Sequence, residues 1–487
     1  MRVGEIGGRG GHGAAFDYFM VMEQDLHSPL GSVPPGAVLQ GAGVSHLPVR
    51  PRHVSGQAGL MQAYAMSQRN LLELIPWEAF SESVISGANP SRFHLVMAPD
   101  LIRRILQTRV EDYPKSDLAR SILRPAIGDS MLVADGQEWR RQRRAAAPVF
   151  QPRNIDGLGP VTSAAAERAA ARVAAQVGRA ADLLDEVTTA TFEVISDVTF
   201  SGEAPVSREV VFRGMEAYAQ AQGKMSFLDV LGAPEWIPRP ARLRPDGSVE
   251  EMKAHAAGTV AERRDRSDRV GKAPDLLDLL VRSDDLNDTD IRDNLLAFIV
   301  AGHETTALTL AWALYLLGFD EEAQARAHAE AQDVLKGRVA GIEDVSRLPF
   351  IRAVIDETLR LYPPAGFLSR MAREQDELGG STVLPGDTVS VPVYAVHRHK
   401  ALWEAPDAFR PDRFLGKSPA PRYAYLPFGD GPRICIGARF ALQEAIIILA
   451  TLISRFRFRA VPGKVPEPTL IITLRPEGGV WLEVEAV

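Results

Sequence analysis

The sequence predicts a mainly α-helical protein with small β-sheets, and three observations carry that prediction. Between about residue 137 and residue 320 apolar residues recur at helical spacing almost without a break. Short β-type runs come mostly late, at 388–394 and 470–474. The apolar share of 46% and the charged share of 24% are ordinary for a globular chain. At 487 residues the length would allow two or three domains. The pattern instead reads as one large domain over 51–487, preceded by a loosely ordered arm over 1–50.

The elements follow in chain order. The arm is rich in Gly and Pro and has no sustained period. Its GEIGGRGG stretch is no phosphate loop, because no apolar strand precedes it and no GK[ST] follows. A short strand is expected at 93–96. Pro99 then opens a helix through Leu101, Ile102, Ile105 and Leu106. The Ala-rich run 163–184 reads as one long helix, and 287–317 as another, with Asn287 as N-cap and Asp290 at the third helical position. The late strand at 470–474 leads into a Pro-Glu-Gly-Gly turn, and a last helix spans 438–456.

Bulk properties exclude several classes. Fifty-five Lys and Arg against 62 Asp and Glu give a net charge of −7, which argues against a nucleic-acid binder. No run of 18 or more apolar residues suggests a transmembrane anchor, and the N-terminus lacks the apolar core of a signal peptide. A cytoplasmic protein is expected.

Cys435 is the one cysteine in the chain. Internal disulfides are therefore impossible, and a lone thiol is most often a small buried hydrophobe. Its neighbours argue for more. The loop reads Phe428-Gly-Asp-Gly431-Pro-Arg433-Ile-Cys435-Ile-Gly437. Two glycines and a proline ahead of the cysteine imply a tight turn with close backbone approach. A helix-forming run follows at once. The thiol therefore stands at a helix N-terminus beside Arg433, a setting that favours a thiolate. A zinc site fails, because one cysteine without clustered histidines cannot supply four ligands.

This loop matches Phe-x-x-Gly-x-Arg-x-Cys-x-Gly at every fixed place. In this the chain resembles the cytochrome P-450 family, over roughly residues 90–485. The resemblance implies the cytochrome P-450 fold, a triangular helical haem-binding domain with a minor β region. It implies haem b (iron protoporphyrin IX) as cofactor, with Cys435 as the metal ligand. Arg433 would pair with a haem propionate, Phe428 would pack near the sulfur, and Gly437 closes the same haem-binding loop.

Further motifs fall in the family's order. Trp139 and Arg143 are four residues apart and share a helix face; the resemblance makes them partners of a propionate. Arg140, Arg141 and Arg144 read as a solvated basic face or as a docking patch for an acidic redox partner. Ala301-Gly302-His303-Glu304-Thr305-Thr306 lies inside the long helix, where Gly costs about 1 kcal/mol against Ala and needs a reason. The family reason is room for dioxygen beside Ala301 and Gly302, in a locally distorted helix, with Glu304 and Thr305 as a proton-delivering acid–alcohol pair. Glu357 and Arg360, with Arg413 of Pro411-Asp-Arg413-Phe414, would form a buried ionic lock behind the haem loop. Arg370 and His397 are two more candidates for the propionates.

The resemblance implies a bacterial-type, monomeric haem-thiolate monooxygenase. It would insert one atom of dioxygen into a lipophilic substrate, by hydroxylation or epoxidation. No flavin or iron–sulfur motif follows Cys435, so electrons are expected from a separate ferredoxin or flavodoxin with its reductase. A peroxygenase or isomerase needing no external electrons is the alternative, and a haem-based sensor a third reading; Thr305 beside an acid argues against both. The pocket is expected to draw on residues near 113–130, 205–245, Ala301, 365–369 and 470–472. Phe367, Leu368, Leu470, Ile471 and Ile472 favour a lipophilic substrate, and the likeness of AGHETT and ETLRLYPPA to the fatty-acid-hydroxylating and microsomal-type branch implies a long one such as a fatty acid or isoprenoid.

Overall fold

Helices dominate because the apolar stripes of the central third must bury against one another. The structure is a computed structural model that describes residues 48–487, apart from 57, 89–90, 266–274, 418 and most of 202–246. The expected N-terminal arm, save residues 48–50, lies outside the described residues. The principal helices are α1 (Asp117–Ile127), α2 (Gly136–Ala146), α3 (Gly159–Ala174), α4 (Leu183–Phe200), α5 (Ser248–Asp265), α6 (Asp288–Phe319), α7 (Glu321–Leu335), α8 (Pro349–Leu361) and α9 (Ala438–Arg455).

The strands are short. β1 (Val84–Gly87), β2 (Phe93–Val96), β4 (Leu368–Met371) and β7 (Thr388–Val391) form one sheet in the order β1-β2-β7-β4. Within it β2 and β7 run parallel and the other neighbours antiparallel. β3 (Ala180–Asp182), β8 (Phe456–Ala460) and β11 (Trp481–Ala486) form a second sheet, with β11 in the middle. β5 (Asp376–Leu378) pairs with β6 (Ser381–Val383), and β9 (Glu467–Leu470) with β10 (Leu474–Glu477).

α6 organises the molecule. Its start is a capping box: Asn287 Oδ1 accepts from the Asp290 amide and Asp290 Oδ2 from the Asn287 amide, both at 2.9 Å. Its first half, Ile291 to Ile299, packs into a core with α1, α5 and the Leu276–Val281 helix; its second half, Ala307 to Leu317, packs into another with α8, α9 and the sheets. Residues 300–306 bridge the two. By length and composition α6 could cross a membrane, yet 72% of its apolar window is buried inside the protein, as befits a core helix.

Four sequence expectations need revision. The run 163–184 is not one helix: α3 ends at Ala174, Gly178 takes φ +83, and 180–182 pair with β11. Asp182 then caps α4, its carboxylate accepting from the Leu184 amide at 3.1 Å. Residues 470–474 are not a strand either. Leu470 and Leu474 face each other across β9 and β10, so 471–473 make the turn. The helix from Pro99 is α-helical only to Arg103 and widens into a π-turn over Arg104–Thr108, with Ile105 and Leu106 still buried. The run 388–394 splits into β7 and a helical turn at Val393–Val396.

Candidate active site

The loop before α9 is bent by two left-handed glycines, Gly429 at φ +70 and Gly431 at φ +73. A Cβ on Gly431 would lie 2.1 Å from the carbonyl oxygen of Leu106, so no other residue fits. The Cys435 amide donates to Phe428 O at 2.9 Å, which closes the loop. Helix α9 begins at Ala438 with Gly437 as N-cap, so Cys435 precedes the helix by a short step. Its side chain opens on an internal cavity and is otherwise enclosed by protein. Burial pushes the Cys435 thiol up; the Gly437 backbone and Arg143 offset this only in part.

Behind the loop stands the ionic lock. Arg360 donates to both oxygens of Glu357, at 2.7 and 2.8 Å, and Arg413 Nε to Glu357 Oε1 at 3.0 Å. Arg360 also donates to the carbonyls of His397 and Ala408, each at 2.9 Å, which ties three segments to α8. His397 is where the structure departs from expectation. It is fully buried and does not reach the cavity. Its Nε2 accepts from the Leu426 amide at 2.7 Å, while its Nδ1 lies 3.2 Å from Arg360 O. Burial lowers its pKa to about 3, so it is a neutral structural group with no capacity left for a propionate.

The cavity measures about 500 Å³. Phe428, Cys435 and Gly437 line one face; Ala301, Gly302, Glu304 and Thr305 of α6 also line it. At one end four cations gather: Lys115, Arg143, Arg370 and Arg433. Arg433 pairs with Asp135, donates to Ala134 O at 3.0 Å and lies 4.5 Å over the Trp139 ring. Arg143 lies 5.9 Å over the same ring and donates to Ile434 O at 2.8 Å. Arg370 is buried and its Nε has no hydrogen-bond partner; burial and Arg433 hold it down at about 10. Burial, then Arg370 and Arg433, push Lys115 down to about 7. Asp135 and, at Arg433, Glu111 answer these charges only in part, so this end is built to take anionic groups.

Lys115 lies within the expected 113–130 pocket stretch, but its place beside Arg370 comes only with the fold. Residues 112–115 run beside β4, with the Met371 amide donating to Pro114 O at 3.0 Å, and this pairing sets Lys115 next to Arg370. Only the extended character of Tyr113-Pro114 hinted at it. The basic face of α2 also reads differently. Arg140 pairs with Glu111, and Arg141 with Glu138 and, at 2.9 Å, with Asp290; Arg144 is exposed.

On α6 the helix runs unbroken through the motif, against the expected distortion. Thr305 Oγ1 donates to Ala301 O at 2.8 Å. A Cβ on Gly302 would meet Ile195 Cδ1 at 3.0 Å, so the glycine admits α4 as well as leaving space in the cavity. Glu304 Oε1 accepts from Thr473 Oγ1 at 2.7 Å and from Arg475. Of the expected pocket residues, Phe367, Leu368 and Ile472 line the cavity, while Leu470 is buried behind Gly366. The 205–245 stretch lies largely outside the described residues.

The family model described as Cytochrome P-450 matches residues 83–482. Cyclooctat-9-en-7-ol 5-monooxygenase of Streptomyces melanosporofaciens is 34% identical over 418 residues, 82% of this chain and 87% of that protein. Cyclooctatin synthase of the same organism is 31% identical over 446 residues, 87% and 94% of the two chains. Cytokinin hydroxylase of Arabidopsis thaliana is 31% identical over 403 residues, 78% and 77%.

Proposed function

The chain belongs to the cytochrome P-450 family and is a monooxygenase of it; from that premise we propose that its substrate is a lipophilic, hydrocarbon-rich molecule of the isoprenoid kind. The observation that carries the reading is one cavity with the Cys435 thiol on one face, four cations at one end and Glu304–Thr305 on α6.

The residues present fit haem b. A buried, partnerless Arg370 Nε, with Lys115, Arg143 and Arg433 around it, suits a group bearing two carboxylates. When bound, haem supplies dioxygen activation and transfer of one oxygen atom to carbon, consuming two electrons and two protons. Cys435 would hold the metal through its thiolate, the form that ligates iron. Arg433, Arg143, Trp139, Arg370 and Lys115 orient the propionates. Phe428 and Gly437 wall the sulfur, and Ala301 with Gly302 keep space open above. Glu304 and Thr305 would serve as the acid–alcohol pair that relays protons into the cavity. Apolar walls, Leu123, Ile127, Met131, Phe298 and Phe367 among them, exclude water and favour an apolar substrate.

The names of two relatives, which carry a cyclic alkenol and, in a carotene epsilon-monooxygenase of Arabidopsis thaliana, a carotene, support an isoprenoid over a fatty acid. Electrons come from a separate ferredoxin or flavodoxin with its reductase. The protein works as a cytoplasmic monomer, with residues 51–487 as one domain behind the 1–50 arm.

Three experiments test this reading. Reduced protein under carbon monoxide should show the red-shifted Soret band of thiolate ligation, and Cys435→His should lack it. Binding spectra against cyclic terpene alcohols, linear isoprenoids and fatty acids should show Soret shifts for isoprenoids first. Shifts with fatty acids alone would overturn the substrate class. Product formed with hydrogen peroxide but not with NADPH and a surrogate ferredoxin system would point to a peroxygenase.

A further inference from the structure

Glu304 is held from outside its own helix. Thr473 Oγ1 donates to Oε1 at 2.7 Å, and Arg475 donates to the same oxygen through Nε at 2.8 Å and through Nη2. All three donors converge on one carboxylate oxygen. They come from the β9–β10 hairpin, nearly 170 residues away in sequence. Thr473 and Ile472, on the turn of that hairpin, line the same cavity as Glu304 and Thr305. The Arg475 side chain is 52% exposed and that of Glu304 15%. Glu304 therefore touches the half-exposed Arg475 on one side and, with Thr473 and Thr305, lines the cavity on the other.

A half-exposed ion pair contributes little to stability. Its effect on geometry is larger, since a guanidinium fork and a hydroxyl on one oxygen select a single carboxylate orientation. Arginine stays charged and passes no proton on. Arg475 therefore orients, while the Thr473 hydroxyl and the Glu304 carboxylate can exchange protons.

We propose that Arg475 and Thr473 are positioning residues for oxygen activation, seating Glu304 on a solvent-to-cavity proton path that enters along the β9–β10 hairpin. This rests on the reading of Glu304 and Thr305 as the acid–alcohol pair. A purely mechanical staple between hairpin and α6 would leave proton transfer untouched, and that difference makes the proposal testable.

The experiment uses the haem-loaded protein without substrate in aerated buffer, with both electrons supplied by NADPH through a surrogate ferredoxin system. Hydrogen peroxide release is timed in water and in deuterium oxide. Arg475→Gln should slow the proton-dependent phase roughly three- to tenfold, the scale of one charge-assisted hydrogen bond, and enlarge the solvent isotope effect. Arg475→Lys should recover part of the rate. Thr473→Val, which removes one hydroxyl at constant shape, should move both readouts the same way and serves if Arg475→Gln fails to hold haem. As a readout independent of turnover, amide exchange of residues 471–475 in the carbon monoxide complex should quicken in Arg475→Gln. Faster exchange with unchanged rate and isotope effect would overturn the proposal, provided Thr305→Ala changes both. If Thr305→Ala also changes neither, the acid–alcohol reading falls and takes this one with it.

Discussion

Lys115 shares its end of the cavity with Arg370 and Arg433, and Asp135 offsets them in part. Burial holds its folded pKa at about 7, against about 10.4 in an unfolded chain. Between those values the unfolded chain binds a proton that the folded chain lacks, so this group makes stability rise with pH across that window. An anion beside Lys115 raises its pKa again, and binding then takes up a proton. Haem affinity should therefore weaken as pH climbs from about 7 to about 9, and Lys115→Met should flatten that slope; haem titrations at stepped pH decide it. Glu444 on α9 is the acidic counterpart. It is buried, its Oε1 has no hydrogen-bond partner, and burial pushes its carboxyl well above the usual range, with Thr306 offsetting only part. The unfolded chain loses that proton first, so stability falls as pH rises above about 4.5. Glu444→Gln keeps the shape without the ionisation, so its denaturation midpoint should drop less than the parent's between pH 5 and pH 8. A steeper drop in the variant would refute the assignment of a neutral carboxyl.

Between residue and whole molecule, one wall of the cavity is latched to α6. The Asp129 amide donates to Asp293 Oδ2 and the Met131 amide to Asn294 Oδ1, each at 2.9 Å. Asn294 Nδ2 donates to Gln142 Oε1 at 2.8 Å, and Gln142 Nε2 returns to Asp129 O at 2.9 Å. Gly128 lies so close that a Cβ there would meet the Asp293 carboxylate at 2.0 Å. α1 and the turn after it, which carry Leu123, Ile127 and Met131 into the pocket, are thereby fixed. Asn294→Ala leaves the Met131 amide and Gln142 Oε1 buried without partners. It should cost about 2–3 kcal/mol in urea unfolding and loosen substrate binding, while the carbon monoxide band keeps its position. None of this was legible in the sequence, because residues 128–142 and 293–294 meet only in the folded chain. α6 itself was legible, since its cap box and apolar period are local. The β9–β10 turn was misread for a related reason. Leu470 to Leu474 is a run of apolar and β-branched residues, and only cross-strand pairing shows that its middle is a turn.

Across the whole molecule, the parts of the site that sequence could reveal are those written as short fixed spacings. The Cys435 loop and the Glu357–Arg360 pair belong to that class. Arg475 and the pairing of Lys115 with Arg370 act through tertiary neighbours and stayed hidden, and His397 lost its expected role because the Leu426 amide and Arg360 O occupy its two ring nitrogens. The same distinction governs how the fold responds to its ligand. Two apolar cores meet at residues 300–306 of α6, and the cavity lies along that seam. A group filling it touches α6 on one side and the 428–437 loop on the other, so it adds contact between cores that α4 and α6 also join. Binding to the folded state only stabilises it by mass action, and most where the ligand bridges otherwise separate units. Haem removal should therefore raise amide exchange at 297–306 and 428–437 by at least about tenfold, the factor of a ~1.4 kcal/mol easier opening, and leave 310–317 and 446–453 protected by their own core. Exchange that rises evenly along all of α6 would mean that the helix, not the bound group, holds the two cores together.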